Sequence, residues 1–263
     1  IRRPLGGGMR VPRNLIFDLD GVLYRGEEAV PGAGETLARV AAAGLEIVFV
    51  TNNSTRTVHQ TAKKIATLTG FDAQPEQVVS SAQAAAAMMT VEEGPVLLFG
   101  AAGAQSALAE RGLTMVDDWR DAGVVIVGLD PGLSYEGLTS AVMAVSNGAR
   151  FIATNVDVTY PTPEGLWPGA GALVAAVQAA TGVEPEVAGK PHAAMRKLLR
   201  DRLSPGGSLV VGDRPETDLA LGVAEGWTTV LVLSGVTPPG AEVVPQPDHV
   251  IETVADLPSL LGI

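Results

Sequence analysis

Short apolar runs alternate with alanine-rich segments along most of this 263-residue chain. The apolar runs have the length of buried strands, and the alanine-rich segments have the length and spacing of helices. The predicted strands are Leu15–Leu19, Glu46–Thr51, Val96–Gly100, Val124–Gly128, Phe151–Thr154, Ser208–Gly212 and Thr229–Leu233. Strands that alternate with helices are typical of a parallel sheet with helices on its faces. The sequence therefore predicts an α/β fold.

The charge and residue composition exclude several classes of function. A formal net charge of −11 argues against non-specific binding to nucleic acid or to an anionic membrane. An anionic substrate would then need a local positive site, such as a metal ion or a well-placed lysine. The chain has no cysteine, which excludes disulfides, zinc–thiolate sites and thiol catalysis.

The chain carries no sequence signal for a membrane. Because no apolar run approaches the roughly 18 residues of a membrane span, we expect no transmembrane helix. The basic, glycine-rich residues 1–8 lack an apolar signal core, so we interpret them as a flexible leader or a remnant of expression, with Met9 as a plausible natural start. The default location is the cytoplasm.

Two carboxylates lie at the end of the first predicted strand. Asp18 and Asp20 are two positions apart, and residues with that spacing point the same way in an extended chain. Gly21 then permits a sharp turn of the backbone. A carboxylate pair at the mouth of a parallel sheet can hold a hard cation, act as a nucleophile, or act as an acid and a base. The alternative is a strand that simply ends in a polar turn.

Further polar residues lie at the ends of other predicted strands. Ligands of open α/β sheets bind beyond the carboxyl ends of the strands, so these residues are candidates for a shared site. They are Thr51, Asn52 and Asn53 after the second strand, Asp213 and Asp218 after Ser208–Gly212, and Lys190 ahead of a predicted helix.

The long interval between Thr51 and Lys190 predicts an inserted domain. A crossover between parallel strands needs a few tens of residues, which leaves an excess of about 100 residues with strand candidates of its own. We place the inserted domain at residues 83–186. Residues 9–82 and 187–263 would then form one discontinuous core domain.

Four short motifs occur in the order typical of one enzyme superfamily. Asp18–Tyr24, Val50–Ser54, Gly189–Pro191 and Gly212–Asp218 resemble the four motifs of the haloacid dehalogenase (HAD) phosphohydrolases. An insertion between the second and third motifs is similar to that of subfamily IIA, the p-nitrophenylphosphatase or NagD-like group, and Ala153–Asp157 resembles part of its cap. The resemblance implies a Rossmann-like parallel-sheet core with an inserted α/β cap of the C2 type.

The resemblance also implies a role for each candidate. Asp18 would be the nucleophile, Asp20 the general acid and base, and Lys190 with Thr51 would bind the phosphoryl group. Magnesium would be held by the Asp18 carboxylate, the Asp20 backbone carbonyl and Asp213. Asp218 would orient metal-bound water or Lys190; otherwise it is an acid at a helix N-terminus.

Several further residues are candidates for substrate contact. Asn52 and Asn53 would add donors or shape the loop, with ordinary turn and capping chemistry as the alternative. Asn155 and Asp157 follow a cap strand that could aim them at the core site. Tyr160 belongs to the same group, and plain loop structure is the alternative for all three.

These roles predict a magnesium-dependent phosphomonoesterase that acts through an aspartyl-phosphate. Its substrate would be a small soluble phosphate, such as glycerol phosphate or a sugar or polyol phosphate, or alternatively a nucleoside monophosphate. Phospho-receiver domains and a non-catalytic phosphate-binding protein are competing hypotheses; the Asp18-x-Asp20 spacing, the inserted cap and Lys190 disfavour them. An exposed cap face could pair two subunits as a homodimer.

Overall fold

The computed structural model describes residues 12–162 and 164–263. The proposed leader at residues 1–8 and the start at Met9 lie outside the described residues. Within the described part of the chain, no helix combines the length and the apolar character needed to cross a membrane.

The strands form two parallel sheets and two small antiparallel pairs. They are β1 (Asn14–Phe17), β2 (Tyr24–Arg25), β3 (Glu28–Ala29), β4 (Glu46–Thr51), β5 (Val78–Ser80), β6 (Val96–Phe99), β7 (Val124–Val127), β8 (Arg150–Ala153), β9 (Thr159–Thr162), β10 (Gly165–Pro168), β11 (Glu186–Val187), β12 (Ser208–Gly212), β13 (Thr228–Val232) and β14 (His249–Ile251). The first sheet has the order β14-β13-β12-β1-β4-β5, and the second has the order β11-β8-β7-β6. Strands β9 and β10 form an antiparallel hairpin, and β2 pairs with β3.

The helices connect these strands. They are α1 (Ala33–Ala42), α2 (Val58–Thr69), α3 (Ser81–Ala87), α4 (Ala102–Glu110), α5 (Tyr135–Ser146), α6 (Ala170–Thr181), α7 (Ala193–Arg202), α8 (Ala220–Glu225) and α9 (Leu257–Leu261). Short 3-10 turns cover Pro75–Gln77, Val91–Glu93, Trp119–Asp121 and Val254–Asp256, and a π-helical turn at Pro215–Leu219 leads into α8. Helix α2 begins at a capping box in which Thr57 and Gln60 exchange hydrogen bonds, so its first turn starts at a fixed place after β4.

Strand β1 lies inside the first sheet, between β12 and β4. All four of its residues are buried, as expected for a strand covered on both faces of a parallel sheet. Leu15 and Phe17 pack in one hydrophobic cluster and Ile16 in another, which follows from the two-residue period of a strand. Pairing with both neighbours and burial on both faces therefore fix the end of β1, and Asp18 is the next residue.

One hydrophobic cluster joins the two sheets. It combines Ile16 and Val48 of the first sheet with Ile126 and Ile152 of the second, and α3, α4 and α7 contribute side chains such as Leu108. A separate cluster covers the opposite face of the second sheet, where α5 and α6 pack. The second sheet is thus attached to the first through a continuous apolar layer.

The α/β class and the parallel sheets are as predicted. Each predicted strand corresponds to a strand of the structure, with ends that differ by no more than two residues. The prediction missed the short strands β2, β3, β5, β11 and β14 and the β9–β10 hairpin. The strands of the second sheet lie between Val96 and Val187, and the domain boundaries at 83 and 186 stay a prediction.

Candidate active site

The carboxyl ends of three neighbouring strands bring the first candidates to one edge of the sheet. Phe17 at the end of β1 is in register with Val211 of β12 and with Phe49 of β4. Asp18 follows β1, Thr51 ends β4, and Asp213 follows β12. Because the strands are parallel, these side chains meet at the same edge.

Lys190 is the cation at the centre of this edge. Its ammonium nitrogen Nζ lies 2.5 Å from Oδ1 of Asp18 and 2.6 Å from Oδ1 of Asp218. All three side chains are buried. Burial alone would lower the pKa of Lys190, but the two carboxylates outweigh it and raise the pKa above its ordinary value. Lys190 therefore carries a positive charge at the sheet edge where the carboxyl ends of β1, β4 and β12 meet.

Three buried carboxylates offer a site for a hard cation. One oxygen from each of Asp18, Asp213 and Asp218 lies within 4.8 Å of the others. Burial, with a further contribution from the charge of Asp218, raises the pKa of Asp213 to about 7. Carboxylate oxygens are the ligands that magnesium prefers, and a divalent cation would offset the repulsion among these anions. The donor set therefore fits magnesium.

One backbone N–H and one side-chain hydroxyl hold Asp213 in place. The Val236 N–H donates to Oδ2 of Asp213 over 2.8 Å, and the Thr237 hydroxyl donates to the Asp213 carbonyl over 2.6 Å. A Cβ atom on Gly21 or Gly235 would come within 2.4 Å or 1.9 Å of the same Oδ2 atom. Two glycines thus provide the space that this carboxylate occupies.

Asp20 lies beside Asp18 on a tight turn. The turn passes through Gly21, whose φ of +86° suits glycine, and the Gly21 N–H donates to the Tyr24 carbonyl over 2.8 Å. Burial raises the pKa of the Asp20 carboxyl, and the nearby cations of Lys64 and Arg56 offset part of this effect. Burial raises the pKa of the neighbouring Asp18 carboxyl as well, and the charge of Lys190 opposes that rise.

The loop after β4 is held by its own side chains. The Asn53 N–H donates to the Thr51 hydroxyl over 3.0 Å, and Oδ1 of Asn53 accepts hydrogen bonds from the N–H and the hydroxyl of Thr55. Asn53 thus shapes this loop through its side-chain oxygen. Thr51 faces the pocket that Asp18 and Lys190 also line.

The other predicted residues meet across the cleft between the two sheets. Asn52 hydrogen-bonds the Asp157 carboxylate and the backbone of Lys190, and Asn155 donates to the Asn52 carbonyl over 2.7 Å. Burial raises the pKa of Asp157, and the hydrogen bond from Asn52 opposes that rise. The structure therefore brings all the candidate residues to one pocket or its immediate wall.

Some pocket residues were not among the predicted site residues. They include Leu129, Thr159, Arg214, Thr217 and Val236. Leu129 follows the carboxyl end of β7, so the strand-end argument could have found it. Arg214 stands inside the fourth motif and brings a second cation to the pocket. Val236 lies after β13 in a loop without a sequence motif, so no signal pointed to it.

Comparisons with known proteins identify the superfamily. Residues 15–114 match the haloacid dehalogenase-like hydrolase family, and residues 187–257 match the HAD-hydrolase-like family. The chain is 36% identical over 233 residues to the acid sugar phosphatase of Staphylococcus haemolyticus, covering 87% of this chain and 88% of that protein. It is also 36% identical over 259 residues to the 5'-nucleotidase YutF of Bacillus subtilis, covering 94% of this chain and 98% of that protein.

A solved structure extends the comparison to the fold. The glycerol phosphate phosphatase Rv1692 of Mycobacterium tuberculosis, in complex with magnesium, superposes with a TM-score of 0.85 at 35% identity, covering 94% of this chain and 76% of that one. These matches confirm the resemblance that the four motifs indicated. The chain belongs to the haloacid dehalogenase-like hydrolases, with the inserted cap of subfamily IIA.

Proposed function

We propose that this protein is a magnesium-dependent phosphomonoesterase that hydrolyses a small phosphate ester through a phosphorylated Asp18. One observation carries the proposal: the Asp18 carboxylate is paired with Lys190 and adjoins the buried oxygens of Asp213 and Asp218. This arrangement combines a nucleophile, a fixed positive charge and the ligands for a divalent cation. Membership in a family of phosphatases supports the same reaction.

Two transfers of the phosphoryl group make up the proposed reaction. A carboxylate oxygen of Asp18 attacks phosphorus, the bond from phosphorus to the ester oxygen breaks, and Asp20 gives its proton to that leaving oxygen. Asp20 then takes a proton from water as the water oxygen attacks phosphorus. This second step releases inorganic phosphate and restores the Asp18 carboxylate.

The surrounding residues bind and stabilise the phosphoryl group. Lys190 donates from its ammonium group and Thr51 from its hydroxyl, and Asp218 holds Lys190 in place. Magnesium, when bound by Asp18, the Asp20 carbonyl and Asp213, supplies positive charge that neutralises phosphoryl oxygens. The pKa of Asp20 is raised by burial, which favours the protonated form that a proton donor needs, and Lys190 beside Asp18 favours the ionised form of the nucleophile.

We propose that residues 83–186 act as a cap that selects the substrate, and that residues 9–82 and 187–263 form the catalytic core. Asn155 and Asp157 line the pocket from the loop after β8, and Thr159 and Tyr160 line it from β9. The acid sugar and glycerol phosphate phosphatases among the relatives support a sugar or polyol phosphate, and the 5'-nucleotidase supports a nucleoside monophosphate as the runner-up.

We further propose a cytoplasmic enzyme that does not bind nucleic acid. The net charge of −11 supports this because it repels phosphate backbones, and a chain without cysteine is compatible with a reducing compartment. A homodimer through the cap would use exposed apolar side chains such as Val158, Leu166 and Trp167.

A panel of phosphate monoesters tests the proposed function. Purified protein with magnesium should release inorganic phosphate from p-nitrophenyl phosphate and, with a higher kcat/KM, from glycerol phosphate, a sugar phosphate or a nucleoside monophosphate. Excess EDTA should abolish the release, and added magnesium should restore it. Phosphate release that persists in EDTA would refute the metal's role, and no release from any ester would refute the activity.

A further inference from the structure

The side-chain amide of Asn52 is shared between the core and the cap. Its Oδ1 accepts the Lys190 N–H over 2.7 Å, and its Nδ2 lies 3.3 Å from the Lys190 carbonyl oxygen. The same Nδ2 lies 3.1 Å and 3.3 Å from the two oxygens of Asp157. One buried amide therefore contacts both backbone polar groups of Lys190 and a carboxylate of the cap.

The hydrogen-bond partners fix the orientation of this amide. A backbone N–H can only donate, so the Asn52 atom 2.7 Å from the Lys190 N–H is the carbonyl oxygen. The NH₂ group must then face the Lys190 carbonyl and Asp157, which both accept. Each polar atom of the side chain is satisfied in this orientation, and a reversed amide would place like groups against one another.

The backbone around Asn52 ties the same elements together. The Asn52 carbonyl accepts the Ser81 hydroxyl over 2.6 Å and Nδ2 of Asn155 over 2.7 Å. Oδ1 of Asn155 in turn accepts the Asp157 N–H over 3.1 Å. The Asn52 position thus fixes the cap segment of Asn155 and Asp157 through two separate hydrogen-bonded paths.

A close approach at Gly189 makes this contact specific. A Cβ atom at position 189 would lie 2.5 Å from Oδ1 of Asn52 and 2.7 Å from the Thr154 carbonyl oxygen. Only glycine lets the Lys190 segment come this near to Asn52. The neighbouring Lys190 side chain then reaches Asp18 and Asp218 from a backbone that Asn52 holds.

We propose that Asn52 is a positioning residue that couples docking of the cap, through Asp157, to the placement of Lys190. The proposal rests on the proposed function and deepens it, because it gives a cap residue an influence on the catalytic lysine. Displacement of a catalytic group by about 1 Å can cost 10²-fold in rate. Loss of the Asn52 amide should therefore lower kcat, although we assign Asn52 no contact with the reacting atoms.

An exchange of the two side chains tests this coupling. Asn52→Asp keeps the acceptor for the Lys190 N–H but removes the NH₂ group and sets two carboxylates against each other. Asp157→Asn in the same chain restores a donor and an acceptor between the two positions and returns the net charge to the wild-type value. We expect Asn52→Asp to lower kcat with p-nitrophenyl phosphate at least about tenfold in the wild-type background, but less than about threefold in the Asp157→Asn background.

If Asn52→Asp lowered kcat equally in the wild-type and Asp157→Asn backgrounds, the coupling would be overturned. A wild-type kcat in the Asn52→Asp single variant would overturn it as well. Asn147→Asp is the matched control, because it makes the same change at an exposed position at the end of α5. Its kcat should stay within about twofold of wild type, as expected for a surface change.

Thermal unfolding keeps the test independent of catalysis. Asn52→Asp should lower Tm, and the double variant with Asp157→Asn should recover part of that loss. If the Asn52→Asp single variant is too unstable to purify, the double variant should fold. No recovery of Tm or of folding would contradict the network. If the wild type hydrolyses no phosphate ester, the proposed function fails, while the Tm comparison still decides whether Asn52 and Asp157 are coupled.

Discussion

The ammonium nitrogen of Lys190 lies 2.5 Å from Oδ1 of Asp18, although 172 positions separate the two residues in the chain. Asp218 holds the other side of the same ammonium group at 2.6 Å. A buried cation between two carboxylates can stabilise the negative charge that a transferring phosphoryl group adds. The contact links the motif that follows β1 to the motif that precedes α7.

Replacement of Lys190 should remove this stabilisation. Lys190→Met keeps an unbranched side chain of similar length but loses the charge, so we expect kcat/KM for p-nitrophenyl phosphate to fall at least about 10²-fold. Lys197→Met is the control, since Lys197 is exposed and pairs with Asp201 on the surface; its kcat/KM should stay within about twofold. Comparable losses in both variants would contradict the role of Lys190.

Asp20→Asn should separate metal binding from turnover. The amide keeps the size of the side chain and leaves the Asp20 backbone carbonyl in place, but it cannot exchange a proton. We expect kcat to fall by roughly 10²-fold or more, while the rise in Tm on addition of magnesium stays close to that of the wild type. A variant with normal turnover would remove Asp20 from the mechanism, and a lost magnesium response would assign it to metal binding instead.

The carboxyl of Asp213 should make magnesium binding depend on pH. Its pKa is about 7 in the metal-free fold against an ordinary value of 3.8. A raised carboxyl pKa means that the folded state favours the protonated form. This contribution to the stability of the metal-free protein is therefore complete below about pH 4 and is lost as pH rises through 7.

Magnesium competes with that proton, so its stabilising effect should grow over the same pH range. We expect the magnesium-induced rise in Tm to be larger at pH 8 than at pH 5.5. Asp213→Asn should abolish most of this rise at both pH values. A response of equal size at both pH values in the wild type would argue against proton competition at Asp213.

Magnesium binding should require glycine at position 21, because a larger residue there would displace the Asp213 carboxylate. A Cβ atom at position 21 would lie 2.4 Å from Oδ2 of Asp213, whereas one at Gly240 would meet nothing within 4 Å. The two glycines have similar φ angles, +86° and +80°, so an alanine at either costs a comparable conformational strain of about 1–2 kcal/mol. Gly21→Ala should lose the magnesium response in Tm, and Gly240→Ala should keep it. If both alanine variants lost the magnesium response in Tm, backbone strain alone would explain the loss.

The principal strands and the strand-end carboxylates could be predicted because their signals are local. Apolar runs such as Leu15–Phe17 show where a buried strand lies, and Asp18 and Asp20 follow it directly. The edge strand β14 escaped prediction because it has three residues and is only half buried. Short edge strands gain their structure from a partner strand rather than from their own sequence pattern.

The function of Asn52 depends on contacts that no local pattern encodes. Its partners Asp157 and Lys190 lie 105 and 138 positions away in the chain. The sequence predicted hydrogen-bond donors after β4. It could not show that the Asn52 amide hydrogen-bonds the backbone of Lys190 and the carboxylate of Asp157. Arg214, by contrast, directly follows Asp213 after β12, so the strand-end argument could have found it.

Direct detection of the phosphorylated residue tests the central claim, that Asp18 is the nucleophile. Protein that is turning over a phosphate ester can be quenched in acid and treated with borohydride, which reduces an aspartyl-phosphate to homoserine. Peptide mass spectrometry should then find homoserine at position 18, with none in protein that was not given substrate and none in Asp18→Asn. Homoserine at another aspartate, or an Asp18→Asn variant with near-normal phosphate release, would contradict the account.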